Sequence, residues 1–150
     1  MDESMLNYSV AIMFIMSLVL AYYITTPISL DKYITNSRHK FYMGLFMAFQ
    51  MGLIELGMYY YFMGTINFYL LTILLAGLIY TGYKLRTLNF LDDKQFMLAM
   101  IEHHANALAM SNAHNYYYRT TNKEIQDLIN TILTSQDDQI KLMYRLLKNY

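Results

Sequence analysis

The chain has 150 residues, of which 56% are hydrophobic and only 15% charged, a balance too apolar for a water-soluble globular domain. Its formal net charge is zero, which gives no reason to expect nucleic acid as a partner. There is no cysteine, so disulfides and thiolate ligands are excluded, and soft-metal chemistry would have to use the 13 methionines and four histidines.

The first half of the chain is organised as apolar segments of membrane-spanning length. Residues 8–27 carry no charge, and their number is close to the roughly 20 that a helix needs to cross about 30 Å of hydrocarbon. A polar connector at 30–40 separates them from a second apolar segment at 41–63 and a third at about 68–83. Because backbone amides in lipid must be satisfied internally, we expect three helices in a lipid bilayer.

A secretory signal is the competing interpretation of the first segment. Acidic residues precede it instead of basic ones, and no small-residue cleavage site follows, so we expect it to remain as a span.

The basic residues predict an orientation. Three spans put the first loop and the C-terminal part on the same side, and that side holds Lys32, Arg38, Lys40, Lys84 and Arg86. The opposite side, with the N-terminus and the turn at 64–67, holds none. The positive-inside rule therefore places the C-terminal part in the cytoplasm or in an equivalent space such as a virion interior.

Two further helices are predicted after residue 92. The first is expected at 93–114, where residues spaced three or four apart fall on one narrow helical stripe. The stripe consists of Phe96, Met100, His103, Ala107, Met110 and His114. Asp92 or Asp93 is the expected N-cap of this helix. The run 115–122 breaks the pattern, and a second helix at about 123–147 has an apolar face made of Ile125, Leu128, Ile132, Gln136, Gln139, Met143 and Leu146.

The predicted fold class is therefore all-α, with three transmembrane helices in a domain at 1–88 and an antiparallel two-helix hairpin in a domain at 89–150. Two helices bury little core by themselves. We expect the hairpin to form a homo-oligomer through its helices or to pack on the spans.

The sharpest chemical pattern is the His-His segment at 100–110. On a helix, Met100, His103, His104 and Met110 place thioether and imidazole donors within two to three turns, and such donors suit a soft or borderline cation such as copper. His114 and Met143 are further candidate ligands. The alternative is that the methionines are core residues and the histidines lie at a polar surface.

A second pattern lies in the second span, where Met43, Met47, Met51, Glu55 and Met58 follow one another at steps of four, four, four and three. A carboxylate at membrane depth indicates function by default, and thioethers in line with it could pass a soft ion. The alternative treats the methionines as flexible packing and Glu55 as a hydrogen-bond donor that sets oligomer register.

Other chemistries are disfavoured. A zincin needs His-Glu-x-x-His and a di-iron bundle needs Glu-x-x-His, and neither occurs around Glu102. No paired nucleophile and base, phosphate loop or cofactor motif is present, so we do not expect an enzyme.

The C-terminal pattern D-x-x-F-x-x-x-M-I-x-H-H-x-x-A-x-x-M, followed by E-I and Q-x-x-x-I-x-x-M, resembles the family called domain of unknown function 305. The matching residues are Asp93, Phe96, Met100, Ile101, His103, His104, Ala107, Met110, Glu124, Ile125, Gln136, Ile140 and Met143. The segment KFYMGLFMAFQMGLIELGM at 40–58 is similar to a motif of the family's membrane-anchored subgroup.

This resemblance implies a ferritin-like helical bundle, of which the hairpin is half, and an association with copper handling through the His and Met residues. The chain departs from the family at three places, because the family usually has Pro where Glu102 stands, often Gln where Ala105 stands, and commonly Glu where Gln139 stands. The leading functional hypothesis is a membrane protein that binds copper or another soft or borderline metal. The alternative is a structural or assembly protein of a cellular or viral membrane.

Overall fold

The computed structural model describes residues 3–24 and 33–150. Across this part of the chain the secondary structure is entirely helical, which confirms the predicted fold class; the helices are α1 (Glu3–Ile24), α2 (Arg38–Met63), α3 (Phe68–Thr87), α4 (Asp93–Tyr117) and α5 (Lys123–Leu147). The end of the first predicted span at 25–27, and the start of the predicted connector with Lys32, lie outside the described residues.

Three of these helices are long and apolar enough to cross a membrane. Over an apolar stretch of 18 residues in each, the mean hydropathy is 1.8 in Met5–Tyr23, 1.3 in Arg38–Met63 and 1.5 in Phe68–Thr87. The shortest of the three candidate spans has 19 residues, about 28 Å of helix at 1.5 Å per residue, which is close to the thickness of a hydrocarbon core.

The chain divides into two compact units. The N-terminal unit contains α1 and the residues His39–Phe90, and hence nearly all of α2 and α3. The C-terminal unit contains Leu91–Tyr150 together with the described residues 33–38 that precede α2.

In the N-terminal unit, α2 packs against both α1 and α3 and runs antiparallel to each of them. Against α1, the rings of Phe14 and Phe49 lie 5.0 Å apart in an edge-on contact. Against α3, a Cβ added at Gly52 would lie 2.9 Å from Leu74 Cδ2, so this glycine is needed for the close approach of the two helices. The buried core of the unit draws on all three helices and consists of Leu6, Val10, Leu56 and Leu74.

The turn between α2 and α3 follows from local chemistry. Gly64 adopts a φ of 67°, which a residue without Cβ tolerates, and its N–H donates to the carbonyl of Tyr60. Asn67 then caps α3 by accepting a hydrogen bond from the N–H of Leu70 at 3.0 Å.

The C-terminal unit is built on the antiparallel pair of α4 and α5. Asp92, one of the two expected N-cap candidates, caps α4. Its side chain accepts a hydrogen bond from the N–H of Gln95 at 2.8 Å. Asn122 caps α5 and accepts from the N–H groups of Glu124 and Ile125. The buried core between the helices consists of Met97, Ile101, Ala105, Ile140 and Met143.

The core lies on a different side of α4 from the predicted stripe, whereas on α5 it overlaps the predicted apolar face at Met143. The stripe of α4 that starts at Phe96 is exposed or half-buried, and the buried positions follow one residue later, at Met97, Ile101 and Ala105. On α5 the buried positions include Ile129, which the predicted face omitted, whereas Leu128 is 58% exposed. The prediction was displaced because apolar and chemically active residues share α4, and the pattern alone did not show which side meets α5.

Candidate metal-binding face of the C-terminal hairpin

His104 is buried between α4 and α5 and both of its ring nitrogens have partners. Nδ1 lies 2.8 Å from the backbone carbonyl of Met100, one turn earlier, and Nε2 lies 2.6 Å from the side-chain amide of Gln139 on α5. A carbonyl only accepts, so Nδ1 carries the proton and donates. In neutral His104 the lone pair is therefore on Nε2, which lies against Gln139 Oε1. A 180° turn of the amide brings its NH2 group to Nε2 as a donor, and this is the orientation that the neutral ring requires.

This arrangement is the one by which proteins orient a metal-binding imidazole. A ligating histidine commonly donates its other N–H to a backbone carbonyl, which fixes the tautomer and the direction of the ring. Gln139 occupies the position facing the free lone pair, so an ion bound at Nε2 would replace that hydrogen bond.

His103 is exposed on the neighbouring side of α4, and its ring centroid lies 6.0 Å from that of His104. Met100 is half-buried and packs against the core, and Met143 of α5 is 9% exposed within it. Because α4 and α5 are antiparallel and His104 meets Gln139, Met143 lies level with Met100 along the hairpin. His103 and His104 follow about one turn further along α4, so the four residues Met100, His103, His104 and Met143 lie within about 6 Å along the hairpin.

Met110 and His114 lie at a second level. Met110 is ten residues beyond Met100, about 15 Å along the helix at 1.5 Å per residue, and is 64% exposed. Metal–ligand bonds are only about 2.0–2.3 Å long, so one hairpin cannot hold a single ion with both groups.

His114 shows a different feature of interest. Its Nδ1 is buried, and no hydrogen-bond partner for it occurs among the described residues. The ring packs on Tyr118 with centroids 5.6 Å apart and an angle of 30° between the planes. A buried ring nitrogen of this kind is able to form a hydrogen bond with a ligand or to bind a metal ion.

Within residues 3–24 and 33–150, no group of three or more histidines, aspartates and glutamates is placed to hold a metal ion. Thioether sulfur is the other donor type near the two histidines, and Met100 and Met143 carry it.

The residues 33–38 form a contact that the sequence pattern did not indicate. Thr35 N–H donates to Glu102 Oε1 at 2.6 Å, and the Thr35 hydroxyl donates to the carbonyl of Leu98 at 2.7 Å. Tyr33 packs against the core of the hairpin, and Arg38 forms an exposed ion pair with Asp92 at 3.6 Å. This segment covers one side of α4, and Thr35 gives Glu102 a structural partner.

In the second span the carboxylate has a partner on the neighbouring helix. Glu55 is half-buried and accepts a hydrogen bond from the hydroxyl of Ser9 on α1. The exposed methionines lie on the outer side of α2, at Met43 (38% exposed), Met47 (42%) and Met58 (52%), and Met51 is half-buried. A path for soft ions along this stripe stays a prediction.

The fold and the donor set together define an all-helical protein with three candidate membrane spans and a C-terminal helical hairpin that carries histidine and methionine. Residues 89–150 match the model of the family described as Domain of unknown function (DUF305). The family predicted from the His-His pattern is thereby confirmed for the C-terminal unit. The assignment to a membrane-anchored subgroup stays a prediction.

The chain is also similar to an uncharacterized protein of Acanthamoeba polyphaga mimivirus, with 36% identity over 77 residues. The match covers 51% of this chain and 49% of the viral protein, so it spans about half the length of each. No solved structure matches the chain.

Proposed function

We propose that the protein is inserted in a lipid bilayer through α1, α2 and α3 and binds copper, or another soft or borderline metal, on its C-terminal hairpin. The observation that carries the metal proposal is the orientation of the His104 ring, whose Nδ1 lies 2.8 Å from the Met100 carbonyl. In the neutral ring this contact leaves the lone pair on Nε2. His103, Met100 and Met143 supply further nitrogen and sulfur donors at the same level.

The chemistry of this donor set favours a particular kind of ion. Thioethers and imidazoles together suit Cu(I), whereas magnesium and calcium prefer oxygen ligands. A bound ion would join α4 to α5 through side chains of both helices. Met110 and His114 would form a separate, weaker binding position or face a second copy of the hairpin.

We also propose that the hairpin associates with a second copy through its helices. The support is the set of large apolar side chains that it leaves exposed, namely Phe96, Met110, Ile125, Leu128 and Leu146. The basic residues Lys84, Arg86, Arg38 and Lys40 favour an orientation with this unit in the cytoplasm or in a virion interior. The similarity to a mimivirus protein is compatible with a cellular membrane and with a viral membrane.

Elemental mass spectrometry of the detergent-purified protein tests the metal site, after loading with Cu(I) under reducing conditions or with Zn(II). We expect near-stoichiometric Cu(I) in the unmodified protein and its loss in the double variant His103→Ala, His104→Ala. His39→Ala, on α2, is the matched histidine control and should retain the metal.

A second pair of variants tests the site without removing the buried imidazole. Met100→Leu and Met97→Leu both exchange a methionine for a residue of similar volume in the C-terminal unit, which costs little stability. Only Met100→Leu removes a proposed ligand, so it should weaken Cu(I) binding while Met97→Leu should not.

Unchanged metal content in the double histidine variant would refute the assignment. If neither Cu(I) nor Zn(II) binds and excess metal leaves the melting temperature unchanged, the structural or assembly role becomes the better proposal. A bound ion at 100 times its dissociation constant should stabilise the folded state by about 2.7 kcal/mol.

A further inference from the structure

The outer side of α2 carries a polar side chain at the middle of a candidate span. Gln50 is the thirteenth of the 26 residues of Arg38–Met63, and its side chain is exposed. In the described part of the chain no hydrogen bond reaches the Gln50 amide. In hydrocarbon there is no water to pair with an amide, so an unpaired one is costly.

Neither neighbouring helix covers this side of α2. Ser9 of α1 reaches Glu55, and Leu74 of α3 approaches Gly52, and both of these positions lie away from Gln50 around the helix. The amide therefore faces out of the three-helix unit.

The residues around Gln50 form a surface that another helix can approach. A shallow groove is lined by Met47, Gln50, Met51, Leu53 and Ile54. Seven residues after Gln50, on the same side of the helix, a Cβ added at Gly57 would meet nothing within 4 Å. Small residues that allow close approach, with a polar residue that bonds across the contact, are the features of helix–helix interfaces in membranes.

We propose that α2 pairs with α2 of a second copy of this chain inside the bilayer, with the two Gln50 amides hydrogen-bonded to each other. A primary amide carries both a donor and an acceptor, so it is complementary to itself across a two-fold axis. Lipid alone would leave both amides unpaired. The inference rests on the proposed membrane insertion and is independent of metal binding.

The absence of cysteine makes a direct test straightforward, because one introduced cysteine reports on one position. Ile54→Cys lies beside Gln50, and Ile79→Cys, at a position of α3 that is 71% exposed, is the matched control. Each variant is oxidised with iodine in native membranes. We expect a disulfide-linked dimer of the Ile54→Cys variant at several times the yield of the Ile79→Cys variant.

Gln50 itself is tested by energy transfer between labelled copies in lipid vesicles at increasing lipid dilution. Gln50→Leu should weaken association roughly three- to thirtyfold, the range expected for polar contacts between membrane helices, and Gln50→Asn should retain most of it. Leucine favours insertion, so Gln50→Leu should remain in the membrane.

Equal cross-linking at both cysteine positions, or association unchanged by Gln50→Leu, would overturn the inference. A cross-linked product containing a different protein instead of a second copy would overturn it as well. Extraction of the protein from membranes by alkaline carbonate would instead refute the membrane insertion, and that result is distinguishable from a failure of pairing alone.

Discussion

Replacing Glu102 with Ala should release residues 33–38 from α4. The Glu102 side chain is buried, at 8% exposure, and accepts the Thr35 N–H at 2.6 Å. A hydrogen bond to a charged group contributes about 1.5–3 kcal/mol, and its loss leaves a buried N–H unpaired. At about 1.4 kcal/mol per factor of ten, local opening around Thr35 becomes roughly 10- to 150-fold more frequent.

Hydrogen–deuterium exchange with mass spectrometry measures this opening directly in the peptide that contains Thr35. Faster exchange should be confined to that peptide and the adjoining turn of α4, since the core around Ile101 is not altered. Glu102→Gln, which keeps an acceptor oxygen, should show a smaller increase. If Glu102→Ala leaves the exchange of residues 33–38 unchanged, the reasoning that this carboxyl group anchors the segment is wrong.

Three further predictions concern packing and the apo protein. Ile101→Ala removes a fully buried side chain (0% exposed) and should lower the free energy of unfolding of the C-terminal unit by about 2–5 kcal/mol in urea titrations. His104→Ala, which loses two hydrogen bonds, should destabilise the metal-free protein by about 1–3 kcal/mol in the same titrations, whereas exposed His103→Ala should change it by less than about 0.5 kcal/mol. Gly77→Ala should lower the melting temperature in detergent because the new Cβ meets the Phe49 ring, and Phe49→Ala in the same chain should restore part of the loss.

The histidine and glycine predictions each have an outcome that would contradict them. Equal costs for His103→Ala and His104→Ala would show that the buried hydrogen bonds contribute little. A Gly77→Ala protein with unchanged melting temperature, with or without Phe49→Ala, would show that α2 and α3 separate without cost.

The helices themselves were predictable because their signals are local. Apolar length indicates the candidate spans, and the bounds of α5 agree with the pattern that begins after Asn122. The α4 helix extends to Tyr117, three residues past its predicted end, since the tyrosines that follow His114 do not interrupt helical hydrogen bonding. The His-His segment likewise pointed to the correct family, because the spacing of its side chains is a property of one helix.

The contact made by residues 33–38 was not predictable in this way. Thr35 and Glu102 are 67 positions apart, and no local pattern marks a threonine that will donate its N–H to a distant carboxylate. Similarly, a carboxylate at membrane depth needs a hydrogen-bond partner, so the sequence predicts that Glu55 has one. That this partner is Ser9 depends on how α1 and α2 align.

By itself, the sequence determined that this protein is helical, that three of its segments can cross a membrane, and that one helix of a DUF305 hairpin bears thioether and imidazole donors. These properties depend on composition and on spacing along one helix. Only the tertiary structure decided that His104 faces Gln139 and that Met143 of α5 lies level with Met100 of α4. The rotation and register of α4 against α5 are set by which side chains fill the space between them, and Met97, Ile101, Ile140 and Met143 fill it.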